Sequence, residues 1–125
     1  MIEIRKVSAD SRGKLFVLNE DGVEFAHIAT IKKGASRGGH FHTKPEKIIV
    51  LDGEVECWLA RTENKNKETK GSLHESEALV VEAGAAHLLK AKTDSVIIGV
   101  IGEAETTNYE PYRKVVEEFL AKDSS

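Results

Sequence analysis

Gly34-Ala-Ser-Arg37-Gly-Gly-His40-Phe-His42-Thr-Lys-Pro-Glu46 places three potential metal ligands behind a glycine-rich turn. His40 and His42 stand two apart. Side chains of an extended chain alternate with period two, so both imidazoles project from one face. Metal ligation, proton transfer and a chance surface pair are the three readings this stretch allows.

Working outward, the chain reads as short extended runs separated by turn chemistry. Upstream, Ile2 and Ile4 alternate with Glu3 and Arg5, Asp10-Ser-Arg-Gly13 reads as a turn, and residues 14–18 form a second strand. Asn19-Glu-Asp-Gly22 then turns into a long β-type run over residues 23–31. Downstream, residues 46–51 are extended and Asp52-Gly53 is a hairpin signal, with residues 54–59 as the returning strand and Val55, Cys57 and Leu59 facing inward. Residues 62–72 are polar and lack apolar periodicity, which predicts a surface loop. Further β-type runs at 78–81, 86–91 and 96–101 bring the total to about eight strands. From Pro111 the period changes: Tyr112, Val115, Val116, Phe119 and Leu120 form one helical stripe, predicting a C-terminal helix over 111–122. Such a pattern predicts one all-β domain, residues 1–125, closing as a barrel or jelly roll.

Composition narrows the partners. A formal net charge of -3 and a pI near 6.0 give no bulk attraction for nucleic acid or an anionic membrane, so neither is expected. The longest apolar runs, such as Ile48-Ile-Val-Leu51, fall far short of the roughly 20 residues that span a bilayer. The N-terminus lacks the apolar region of a signal peptide, and Cys57 is alone, which leaves a reducing cytoplasm as the expected location. In phase with the inward residues, Cys57 is expected to be a small core residue. Trp58, out of phase with them, is expected at a homodimer interface.

The candidate metal ligands are His40, His42, Glu46 and His87, the last following the turn Glu82-Ala-Gly84-Ala-Ala. Three imidazoles and a carboxylate suit a borderline divalent ion. Zn, Fe, Mn, Co and Ni all accept such donors, with one or two positions left for water or substrate.

From Gly34 the spacing runs five residues to His40, one to His42, three to Glu46 and six to Gly53. This resembles the first sequence motif of the cupin superfamily at every fixed position. Gly84, followed after two residues by His87, resembles the core of the second cupin motif, with Glu82 where the family usually has proline and Ala91 where it often has asparagine. The resemblance implies a single cupin jelly-roll β-barrel, its core over residues 23–101, with one divalent ion inside held by His40, His42, Glu46 and His87. Zinc is the favoured ion.

A narrower resemblance concerns substrate. Arg37-Gly-Gly-His40 is similar to the Arg-Gly-x-His segment of the deoxysugar 3,4-ketoisomerases and dTDP-4-dehydrorhamnose 3,5-epimerases, and Asp10-Ser-Arg12-Gly13 to their Asp-x-Arg-Gly turn. In those families the arginines hold a nucleotide diphosphate, which makes Arg12 and Arg37 the substrate-binding candidates. A guanidinium fork matches phosphate oxygens, and Gly38 and Gly39 permit close backbone approach. The histidines there act as bases, typically without a metal, so His40 and His42 are catalytic candidates only if no ion is bound. The full set with Glu46 and His87 is closer to the zinc cupin at the C-terminus of bifunctional capsular-polysaccharide enzymes, which accompanies sugar C3 epimerisation. The resemblance therefore implies a sugar or sugar-nucleotide isomerase or epimerase, with the proton acceptor drawn from His27, His74, Tyr109 and Tyr112. An iron-dependent dioxygenase using the same ligands and a non-catalytic sugar-binding module are the competing expectations.

Overall fold

The computed structural model describes residues 1–62 and 67–123; residues 63–66 of the expected loop lie outside the described residues. In chain order the elements are β1 (Ile2–Asp10), β2 (Gly13–Glu20), β3 (Val23–Ile31), β4 (Ser36–His42), β5 (Glu46–Asp52), β6 (Glu54–Arg61), β7 (Glu68–His74), β8 (Ala78–Val81), β9 (Ala85–Ala91), β10 (Ser95–Val100), β11 (Thr106–Asn108) and α1 (Glu110–Asp123). The strands form two facing antiparallel sheets, a six-stranded one in the order β1-β2-β3-β10-β5-β8 and a five-stranded one in the order β11-β4-β9-β6-β7. The expected all-β jelly roll with a C-terminal helix is what these residues build.

Local turn chemistry explains the hairpins. Asp21 and Gly22 both take positive φ, 50° and 83°, between the paired residues Glu20 and Val23. Two left-handed residues match the twist of the flanking strands, which is why Asp-Gly closes β2 onto β3. Asp52-Gly53 behaves differently from the expected hairpin. β5 pairs with β10 and β8, whereas β6 pairs with β7 and β9 in the other sheet, so Gly53 carries the chain around the corner between sheets. Its φ is 86°, and a Cβ there would lie 2.6 Å from the Asp94 carbonyl oxygen. The dipeptide marks a tight turn in either case; pairing with residues some forty positions away decides which strands it joins.

Part of the expected loop is also a strand. β7 runs along the edge of β6, with Cys57 opposite Gly71 and Trp58 opposite Lys70. Almost all of it is exposed. An edge strand facing water on both sides carries no apolar alternation, and charged residues there discourage further pairing.

Between the sheets, Ile31, Ile48, Val50, Val55 and Leu89 form the main core, all 3% exposed or less. A second cluster lies on the outer face of the five-stranded sheet, where Tyr112 and Val116 of α1 cover Ala60, Ala86 and Leu88. Trp58, expected at an interface, packs against this cluster: its ring meets Tyr112 edge-on at 5.8 Å, and Lys70 Nζ lies 4.0 Å from its centroid. The helical stripe that ends the chain covers the tryptophan that the strand turns outward.

The outer face of the six-stranded sheet has no such cover among the described residues. Register aligns Phe16, Ile28, Ile98 and Ile49 in one cross-strand row and Leu18, Ala26 and Val100 in the next, with Ile4 beside Leu18. Ile4 is 63% exposed and Val80, on the same face, 56%. No helix among the described residues is long and apolar enough to cross a membrane.

Candidate metal centre

β4 is the strand on which the site depends. It pairs with β9, placing His40 opposite His87, and with β11, placing Thr106 opposite His42. A register irregularity between Gly38 and His40 accompanies left-handed φ at Gly38 (105°) and Gly39 (80°). A Cβ on Gly38 would lie 2.7 Å from the His87 carbonyl oxygen, and one on Gly39 would lie 3.0 Å from the backbone nitrogen of Arg113. The close approach these glycines permit is thus made by β9 and by the first turn of α1.

His40, His42 and His87 converge. One ligand atom from each lies within 4.8 Å of the others, and the ring centroids are 4.6, 4.7 and 5.4 Å apart. Glu46, at the start of β5 in the opposite sheet and only 2% exposed, reaches across to His42 and His87, while the group of mutually close ligand atoms is that of the three histidines. Its Oε1 lies 3.3 Å from His42 Nε2 and 3.4 Å from His87 Nε2, and its Oε2 lies 3.2 Å from His27 Nε2. His27 projects from β3. Both it and Glu46 fit because Gly99 of β10 has no side chain: a Cβ there would sit 2.5 Å from Glu46 Oε2 and collide with the His27 ring.

The electrostatics suit a cation. Burial, then the neighbouring His87 and His42, push His40 down to about 3, and burial pushes His87 down to about 4. Both rings are therefore neutral at pH 7, the form that offers a lone pair to a metal. Burial acts to raise Glu46, but the neighbouring His42, His87 and His27 rings together outweigh it and hold the carboxyl below its ordinary value. Glu46 Oε1 is buried without a hydrogen-bond partner. Ligands about 2.0–2.1 Å from one tetrahedral ion lie roughly 3.3 Å apart, close to the spacing of this oxygen from the two imidazole nitrogens. Thr106 Oγ1, 2.8 Å from His42 Nδ1, fixes that ring with Nε2 toward Glu46. Donor type, protonation state and the orphaned oxygen all fit a divalent ion.

These residues line a cavity of ≈ 490 Å³ between the sheets, which Arg12 and Arg37 also line. Arg12 is held by Asp10 through a fork of hydrogen bonds, 2.7 Å at the shortest, and this pairing pulls Asp10 down to about 2. Arg37 is 8% exposed. Of the four expected proton acceptors, His27 lines the cavity. His74 is on the exposed β7, 3.0 Å from Glu54 and 2.9 Å from Glu77. Tyr112 of α1 donates to Glu68 Oε2 at 2.8 Å; burial and this hydrogen bond raise its pKa, and Tyr109 meets it edge-on at 5.0 Å. Cys57 is buried, and burial lifts its thiol to about 11.

Sequence reasoning missed three contributors. Gly99 carried a usable signal, because an isolated glycine within Val96-Ile-Ile-Gly-Val100 marks a close approach. Thr106 and Arg113, which also lines the cavity, carried none: nothing in the linear sequence brings β11 and α1 to β4.

The family Cupin_1, described as Cupin, matches residues 7–122. The chain is a cupin. No curated protein sequence matches it significantly. Among solved structures, this cupin is similar to the capsular polysaccharide assembling protein CapF from Staphylococcus aureus, with a TM-score of 0.72, 19% identity, and coverage of 85% of this chain and 31% of CapF. It is similar to a single-residue variant of oxalate decarboxylase from Bacillus subtilis at a TM-score of 0.70, 13% identity, and coverage of 81% and 28%. The Drosophila melanogaster CENP-C cupin domain gives a TM-score of 0.64, 18% identity, and coverage of 81% and 76%. The cupin spans 31% of the CapF chain, and at these identities the likeness is one of fold.

Proposed function

We propose that this cupin binds one divalent ion, zinc by preference, through His40, His42, Glu46 and His87, and isomerises or epimerises a keto-sugar or sugar nucleotide. The observation that carries the reading is the buried Glu46 Oε1, without a hydrogen-bond partner, facing the His42 and His87 rings in a cavity that arginines also line. When bound, the ion supplies Lewis-acid stabilisation of an oxyanion next to the carbon that loses its proton. Because the other three imidazoles are ligands, His27 is the proton acceptor. Glu46 Oε2, 3.2 Å from its Nε2, orients the ring. Arg12 and Arg37 hold the far end of the substrate. CapF, described as a capsular polysaccharide assembling protein, supports a sugar-related ligand class, and its inhibitor 3-isopropenyl-tropolone supports a small molecule.

The test is incorporation of solvent deuterium into NDP-4-keto-sugars by zinc-loaded protein, followed by NMR. Exchange that disappears in His27→Ala and after chelation is the expected result; absence of exchange from every sugar offered contradicts the reaction. The same ligand set serves an iron-dependent dioxygenase. Iron in anaerobically purified protein, with oxygen uptake, would favour that second reading. A second copy is the proposed partner, docked through the apolar outer face of the six-stranded sheet, and a cytoplasmic location is consistent with the lone free cysteine.

A further inference from the structure

Arg37 is a buried guanidinium whose Nε and Nη2 have no hydrogen-bond partner. The carboxylate that bears on its charge, Asp10, is engaged by Arg12 through both oxygens. An unpaired buried charge is costly, and such groups are normally completed by a counter-charge. Arg113 enters the same cavity from α1. Its backbone packs on Gly39, at 3.0 Å from where a Cβ would be, and its Nη1 donates to the Gly38 carbonyl oxygen at 3.2 Å. One carbonyl uses one of five N–H donors. Arg113 also contributes to the depressed pKa of His40, which puts its charge close to the imidazole cluster. Glu24 and Glu103 line the cavity too, but neither forms an ion pair with Arg37 or Arg113 among the described residues.

We propose that Arg113 grips an oxyanion of the substrate, a carboxylate or a phosphate, in the cavity that Arg37 also lines, so that the C-terminal helix supplies a specificity residue to the cavity. A neutral sugar leaves Arg37 with the unmatched donors it has now. An oxyanion supplies the matching acceptors, because its oxygens accept the paired N–H bonds that a guanidinium fork presents. The cavity then offers a guanidinium for the anionic substituent beside the imidazoles that face the reacting carbon. Its ≈ 490 Å³ holds a monosaccharide carrying one such group. The inference rests on the cavity being a substrate site and not on which reaction follows.

Calorimetric titration of the zinc-loaded protein with inorganic phosphate, pyrophosphate and glucuronate is the test. At least one anion binds, and Arg113→Met, which keeps the aliphatic stem on Gly39, weakens it by about ten- to a hundredfold with zinc affinity unchanged. Arg113→Lys restores part of the loss, because a point charge replaces a fork. Preference for pyrophosphate identifies a sugar nucleotide, and preference for glucuronate a sugar acid. Three results overturn the proposal: no anion binds, Arg113→Met binds as tightly as the parent, or zinc and anion affinity fall together. Lack of deuterium exchange alongside an intact Arg113 effect removes the isomerase reading and leaves this one standing.

Discussion

His40 and His87 are held uncharged by the fold, and that has a measurable consequence. In the unfolded chain each titrates near 6.5; in the folded chain burial lowers them to about 3 and about 4. Below pH 6.5 the unfolded chain therefore takes up protons that the folded chain refuses, so stability falls as pH falls, by up to about 1.4 kcal/mol per pH unit for each group. Glu46 acts in the same direction, since a lowered carboxyl pKa contributes stability that is lost as pH drops through its folded value. Denaturant midpoints of the chelated protein should fall between about pH 7 and about pH 4; a flat profile contradicts the burial of neutral rings. The ligand candidates were legible because they are local in the chain: period two puts His40 and His42 on one face, and Glu46 follows after a single turn. His27 was one of four possible proton acceptors until the cross-strand pair with Gly99 brought it to Glu46.

Helix α1 links packing to function. Leu88 on β9 is fully buried beneath it, beside Tyr112 and Val116, while the adjacent His87 points the other way into the cavity. Leu88→Ala removes the contact that seats the helix and should cost about 2–5 kcal/mol in denaturant unfolding; a loss below about 1 kcal/mol would mean that the helix is not packed as described. The helix was readable from its apolar stripe, as was the β2–β3 turn from Asp-Gly. The β5–β6 corner and the strand β7 were not. A turn dipeptide does not encode which sheet receives the next strand, and an edge strand exposed on both faces has no periodicity to read.

At the scale of the molecule, the jelly roll followed from many short strands, while its two-sheet partition came only from long-range pairing. The uncovered apolar rows of the six-stranded sheet are the feature that most needs a partner. Light scattering should give twice the 13.7 kDa of one chain, and Ile98→Lys should give monomers that still bind metal; a monomeric parent protein contradicts docking of a second copy there. The central claim is one ion per chain in the cavity. An anomalous-scattering map of crystals grown with zinc tests it most directly. The account predicts a single peak about 2.0–2.2 Å from donors of His40, His42, His87 and Glu46. A map with no peak there, or with zinc ligated only by other residues, would contradict it.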